Sequence, residues 1–179
     1  MRIELDHLLV PSRNKAASAN RLAELLGRAR TGRTTHMADV VLDLPIKAPL
    51  DRVFRAVSTP RGLDTWWTKR SAGRPQEGAE YELGFGPGYD WRGRVTRCAP
   101  DSEFELEMVR ADSDWVGTRV GFRLEPRGVA TWVRFRHTGW PESNEHYRIS
   151  CNCWAMYLRV LRRSLEHGEA VAYENRLDV

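Results

Sequence analysis

Few side chains in this 179-residue sequence sit in a pattern that chemistry requires. His137 is the first of them. An imidazole with a reference pKa of about 6.5 can take or give a proton near neutral pH, and Tyr147 follows closely enough to share a pocket with it. No carboxylate is patterned to orient that ring, so His137 is read as a structural group bonded to a backbone carbonyl where a strand turns into a helix. Ser150 and Ser164 lack the strand-turn-helix setting of an activated serine. Gly84-Phe85-Gly86-Pro87-Gly88 is glycine-rich but joins two strands and opens no helix, which argues against a phosphate cradle. It fits a hairpin at a cavity mouth, with Tyr89 and Trp91 as a lid. Cys151 and Cys153 stand two apart in a helical pattern and point to different faces. With no second Cys or His cluster at ligand spacing, neither a disulfide nor a metal site is expected. No cofactor pattern emerges.

Bulk properties narrow the classes. The length fits one domain, or one domain and an appendage. A hydrophobic fraction of 41% with seven Trp is enough for a real core. No apolar run is long enough to span a membrane, and Met1-Arg2-Ile3-Glu4-Leu5-Asp6 has no apolar signal core. A cytoplasmic protein is therefore expected. The net charge of +4 permits nucleic-acid contact without arguing for it.

The elements that must position these groups follow from periodicity. Tyr147, Cys151, Trp154, Leu158, Leu161 and Leu165 make one face of a long helix from Ser143 to Gly168. Pro141 stops the preceding strand, Ser143 is the expected N-cap with His146 at the capping-box position, and Gly168 ends the helix. Ile149, Cys153, Met156 and Val160 form a second stripe on roughly the opposite face. Contiguous apolar patches are uncommon on monomers, so this stripe is expected to be covered, by this chain or by a second copy.

Upstream, Val40, Leu42, Leu44 and Ile46 alternate with polar residues as a half-buried strand. Short helices follow at Pro49–Val57 and Pro60–Trp67, the second capped by Thr59. Strands are then expected at Tyr81–Phe85, Tyr89–Cys98, Glu103–Arg110, Thr118–Leu124 and Val129–His137. Without crossover helices they form an antiparallel meander that closes the last strand on the first. One face carries the apolar residues. The other carries Glu80, Glu82, Arg92, Arg94, Glu103, Glu105, Glu107, Arg119, Arg123, Arg134, Arg136 and Asp43. Acidic and basic strands are expected mostly to alternate there, each opposed pair contributing roughly 0.2–1 kcal/mol. Arginines with such partners are not a nucleic-acid surface.

Residues 1–36 differ in character: a strand at Ile3–Val10, a helix carrying Leu22, Leu25 and Leu26, and a basic linker. Asp6-His7-Leu8-Leu9-Val10-Pro11 with the Leu22-Ala23-Glu24-Leu25-Leu26-Gly27 helix resembles the opening of glyoxalase/bleomycin-resistance (vicinal oxygen chelate) proteins. In that family a first-strand His at the position of His7 is often a metal ligand. The remaining strands and ligands have no counterpart here, so no metal site is carried over.

From about residue 38 to 168 the order is strand, two helices, antiparallel strands, long helix. With Ile46-Lys47-Ala48-Pro49 through Thr59-Pro60, Trp66-Trp67, His137-Thr138-Gly139-Trp140, and Trp154 through Gly168, it resembles the helix-grip fold of the SRPBCC (START/pollen-allergen-like) superfamily. The motifs look like the branch named after the C-terminal domain of the activator of the heat-shock protein 90 ATPase. The resemblance implies an α+β fold, a curved antiparallel sheet wrapped around the C-terminal helix with a cavity between them. The domains expected are an appendage at 1–36, the helix-grip domain at 37–170 and a tail at 171–179. No catalytic set is common to the superfamily.

Inward residues nearest such a cavity are Trp66, Trp67, Tyr81, Phe85, Trp91, Phe104, Met108, Phe122, Phe135, His137, Tyr147, Cys151 and Trp154. Apolar walls with a few polar groups describe a site for a small apolar or amphipathic ligand. A protein-interaction or co-chaperone-like module is the alternative, with a homodimer through Ile149, Met156 and Val160 or through the N-terminal segment. An enzyme using His137 and Tyr147 is a third.

Overall fold

A computed structural model describes residues 38–178. The readings made for residues 1–36, including the N-terminal helix as a dimer element, lie outside the described residues. The elements are β1 (Ala38–Ile46), α1 (Leu50–Ser58), α2 (Pro60–Trp66), β2 (Arg70–Ala72), β3 (Glu80–Gly86), β4 (Tyr89–Ala99), β5 (Glu103–Arg110), β6 (Arg119–Arg127), β7 (Ala130–Trp140) and α3 (Glu145–His167), then a short 3-10 turn at Tyr173–Asn175. Seven antiparallel strands form one sheet in the order β1-β7-β6-β5-β4-β3-β2. This is the helix-grip arrangement: a meander whose last strand pairs with its first, with α3 against its apolar face.

The two-residue period places the side chains. Tyr81, Leu83, Val95, Phe104, Leu106, Met108, Val120, Phe122, Leu124, Val133, Phe135 and His137 are all buried. The three-residue β2, too short to show an alternation, extends the sheet beyond β3. Gly62 allows α2 to lie on α1. A Cβ there would stand 2.2 Å from the carbonyl oxygen of Arg55, a contact no side chain can make.

Local signals differ from expectation at two helix starts. Asn144, not Ser143, caps α3: its side-chain oxygen accepts from the Tyr147 amide at 2.7 Å. The Ser143 carbonyl instead accepts from Arg148 Nη1. Pro49 is the N-cap of α1 rather than its first helical residue. Thr59 caps α2 as expected, accepting from the Gly62 amide, and Gly168 ends α3 with φ +67°.

The solvent face follows the charge pattern from β3 to β6 and again where β7 meets β1, and breaks between β6 and β7. Arg92 meets Glu80 at 2.9 Å, Arg123 meets Glu103 at 3.1 Å and Arg119 meets Glu107 at 3.9 Å. β6 and β7 are both basic, and Arg123 stands directly opposite Arg134. Glu125 resolves the conflict by accepting from Arg134 Nε at 2.8 Å, with Asp43 of β1 on its other side at 3.5 Å.

The second stripe of α3 is covered at one end only, with Cys153 and Met156 half-buried between its two ends. Val160 is fully buried, so it cannot contribute to a dimer surface. Ile149 remains 54% exposed. The C-terminal tail folds back on the domain. Val171 packs on the core, and Arg176, 5% exposed, donates to the carbonyls of Asp64 (2.7 Å), Thr68 (2.9 Å) and Val171 (3.2 Å). A guanidinium presents five donors in a fixed fork, so one residue ties the tail to the end of α2. Arg176→Met keeps the bulk and removes the donors. It is expected to lower stability by about 2–4 kcal/mol, read as a fall in the urea midpoint; a change below about 0.5 kcal/mol would show that the tail is not anchored this way.

Candidate functional site

The thirteen residues expected around a cavity divide into three groups. Trp66, Tyr81, Phe104, Met108, Phe122, Phe135 and His137 are in the packed interior. Their rings fill the space between sheet and helix: Trp66 meets Phe122 edge-on at 5.9 Å, Phe122 meets Phe135 at 5.3 Å, and Phe135 meets Trp154 at 4.5 Å. Tyr147 and Cys151 lie toward β1. The Tyr147 hydroxyl donates to the Asp39 carbonyl at 3.0 Å, and its ring packs on Trp140. Trp67, Phe85, Trp91 and Trp154 line an open cleft of about 250 Å³.

That cleft lies between the β3–β4 hairpin, the β5–β6 loop, α3 and the tail. Its other walls are Tyr89, Asp112, Trp115, His146, Ile149, Ser150, Cys153, Tyr157 and Tyr173. The spacing of His146, Ser150, Cys153 and Tyr157 puts one stripe of α3 on the cleft. Burial pushes the Tyr157 phenol up to about 12 and raises the Cys153 thiol, so both present neutral groups. Cys98, Cys151 and Cys153 are free thiols. Among the described residues no group of His, Cys, Asp and Glu could hold a metal ion.

Trp115 is the residue that sequence reasoning missed. It follows the Asp112-Ser113-Asp114 turn, where no periodicity marks it as buried. Yet it is 5% exposed and touches Trp91 (4.7 Å), His137 (4.4 Å), Trp140 (5.5 Å) and Trp154 (5.9 Å). The ring joins the cleft wall to the interior. The enclosed indole N–H groups of Trp115 and Trp140 have no acceptor among the described residues.

His137 bonds side chains rather than the backbone carbonyl expected. Trp154 Nε1 donates to its Nδ1 at 2.9 Å. An indole can only donate, so Nδ1 is an acceptor and the proton is on Nε2. Nε2 in turn donates to Thr118 Oγ1 at 2.9 Å, and Thr118 donates to the Trp115 carbonyl at 2.6 Å. Every polar atom of the neutral ring is used. Burial, with a smaller contribution from His146, depresses its pKa to about 3. A ring so enclosed does not exchange protons with a ligand near neutral pH.

A second, larger depression of about 490 Å³ separates β1 from the far half of α3, lined by Leu42, Leu44, Arg159, Arg162, Arg163 and Glu166 among others. Two of its arginines pair locally: Arg162 Nε donates to Glu166, and Arg163 forks onto Glu169. It lacks the aromatic walls of the smaller cleft.

No helix among the described residues is long and apolar enough to cross a membrane. No curated protein matches the chain. Among solved structures it is similar to the Aha1 dimer of Colwellia psychrerythraea, with 28% identity and a TM-score of 0.69 over 75% of this chain and 100% of that one. CalU16 of Micromonospora echinospora shares the fold at 20% identity and TM-score 0.62, over 83% of this chain and 87% of that one. MLL2253 of Mesorhizobium loti does so at 19% and 0.65, over 74% and 99%. The family model described as Activator of Hsp90 ATPase homolog 1-like protein matches residues 47–166. With the sheet gripping α3 over that same stretch, the chain belongs to this family.

Proposed function

We propose that the protein binds a small apolar or amphipathic molecule in the cleft beside α3. The observation that carries this reading is the composition of the cleft wall: Trp67, Phe85, Trp91, Trp115, Trp154 and Tyr157 converge on one opening, with Ser150, His146 and Asp112 as the polar minority. Aromatic walls with few polar groups suit a flat, largely apolar ligand. The interior His137 takes no part, because its ring is neutral and fully bonded.

The test is saturable binding of 2-methoxynaphthalene, followed by quenching of indole fluorescence. Cys153→Trp puts a large ring into the cleft from a half-buried helix position. It is expected to weaken binding at least tenfold while leaving the circular dichroism unchanged. Non-saturable quenching, or equal affinity in the variant, would overturn the reading.

A second reading, an interaction module, is favoured by one observation: the similar Aha1 protein of Colwellia psychrerythraea is a dimer. On this chain Ile149 is the exposed apolar residue of α3, at the edge of the cleft. A self-contact there would cover the cleft mouth.

A further inference from the structure

One acid–base pair stands at the mouth of the cleft and takes no part in the interior network. His146 lies in the first turn of α3 and lines the cleft. Its Nδ1 is 3.0 Å from both carboxylate oxygens of Asp114, in the β5–β6 loop. Asp114 also accepts from Asn144 Nδ2 at 3.0 Å. Because Asn144 is the N-cap of the same helix, one helix start fixes both carboxylate and ring. The two bonds hold the Asp114 carboxyl below the usual carboxylate range although burial pulls the other way.

An ionised carboxylate only accepts, so it keeps the imidazole proton on Nδ1 and leaves the Nε2 lone pair unprotonated in the neutral ring. Nε2 has no protein partner among the described residues. The ring is 35% exposed by its side chain, with Trp115 and Trp140 packed against it. The pair therefore presents one oriented hydrogen-bond acceptor beside an aromatic wall.

The charge around it selects among ligands. Asp112 lines the cleft next to His146, and Glu145 lines the adjoining shallow surface. Among the described residues no Lys or Arg lines either depression. A carboxylate or phosphate would meet like charge there, which disfavours it. A neutral hydroxyl would meet an acceptor.

We propose that His146, held by Asp114, accepts a hydrogen bond from a neutral hydroxyl, a phenol or an enol, carried by a flat aromatic ligand seated in the cleft. This rests on the cleft being a ligand site, and the experiment separates the two. Three probes share one ring system: 2-methoxynaphthalene, 2-naphthol and 2-naphthoate. Affinities are measured by indole quenching at about pH 8, where a phenol keeps its proton. The naphthol is expected to bind roughly three- to tenfold tighter than the ether, and the naphthoate weakest of all.

Two variants read the mechanism. His146→Phe keeps a ring against Trp115 and Trp140 and removes the acceptor. Asp114→Asn keeps the shape but can donate as well as accept, so it no longer fixes the imidazole proton on Nδ1. Both are expected to bring the naphthol-to-ether ratio near one, whatever either does to the ether's own affinity, a result that a purely structural role for the pair would not give. A naphthol no tighter than the ether, a ratio that survives both variants, or a naphthoate that binds tightest overturns the proposal and leaves the cleft reading standing. Binding of none of the three overturns both.

Discussion

Trp154→Ala is expected to cost about 4–8 kcal/mol of folding stability, enough to unfold a domain in the lower half of the ordinary stability range. Trp154 is 1% exposed and touches Trp67, Trp115, Phe135 and His137 from one position on α3. Truncating a buried Trp alone costs about 3–5 kcal/mol through lost burial and the cavity left behind. A second effect adds to it. The indole N–H is the donor to His137 Nδ1, and a buried acceptor left without a partner costs about 1–3 kcal/mol. Trp154→Phe separates the two: most of the packing is retained and the bond is lost, so a loss of about 2–3 kcal/mol is expected. Urea unfolding checks both. A loss under about 2 kcal/mol for the Ala variant would mean that the helix is not gripped through this residue.

Stability should also fall steeply below neutral pH because of His137. Its folded-state pKa is depressed to about 3, from an ordinary value of about 6.5. Between those values the unfolded chain binds more protons at this site than the folded one, so stability rises with pH across the window. The contribution is fully present above about pH 6.5 and is lost as pH falls toward 3, at about 1.4 kcal/mol for each unit. The upper half of the window, from about pH 4.5 to 6.5, lies above ordinary carboxylate titration and is the diagnostic part. His137→Gln is expected to flatten the slope there. In the native protein the His137 ring resonances should not titrate down to about pH 4.5. A normal histidine titration curve would refute the closed network of Trp154, His137, Thr118 and Trp115.

The architecture could be read from sequence because it rests on local periods. Alternation assigned Tyr81, Leu83, Phe104, Leu106, Phe122 and Phe135 to one face, and the structure places them there. The 3-4 spacing from Trp154 to Leu161 marked the buried face of α3 in the same way. The Thr59 cap and the Gly168 stop were equally local. Charge complementarity was only partly local. Reading strands as acidic or basic left β6 and β7 as two basic neighbours, and did not show that Glu125, one residue near a hairpin end, settles the conflict.

The site was less legible, for a physical reason. Trp115 sits in a loop, where no repeat distance encodes burial, and its neighbours come from β4, β7 and α3. His146 looks like a helix-start residue until the β5–β6 loop brings Asp114 to it. Arg176 reads as a tail charge until Asp64 of α2 and Thr68 just beyond it turn their carbonyls toward it. The sequence by itself determined the strands other than the three-residue β2, the helices, their faces and the element order, since those follow from side-chain period, caps and turns within a few residues. Only the tertiary structure decided that the interior behind α3 is filled, that the opening lies at its N-terminal side, and which histidine is sealed and which faces the cleft. Those outcomes depend on contacts between residues far apart in the chain, and no local spacing records them.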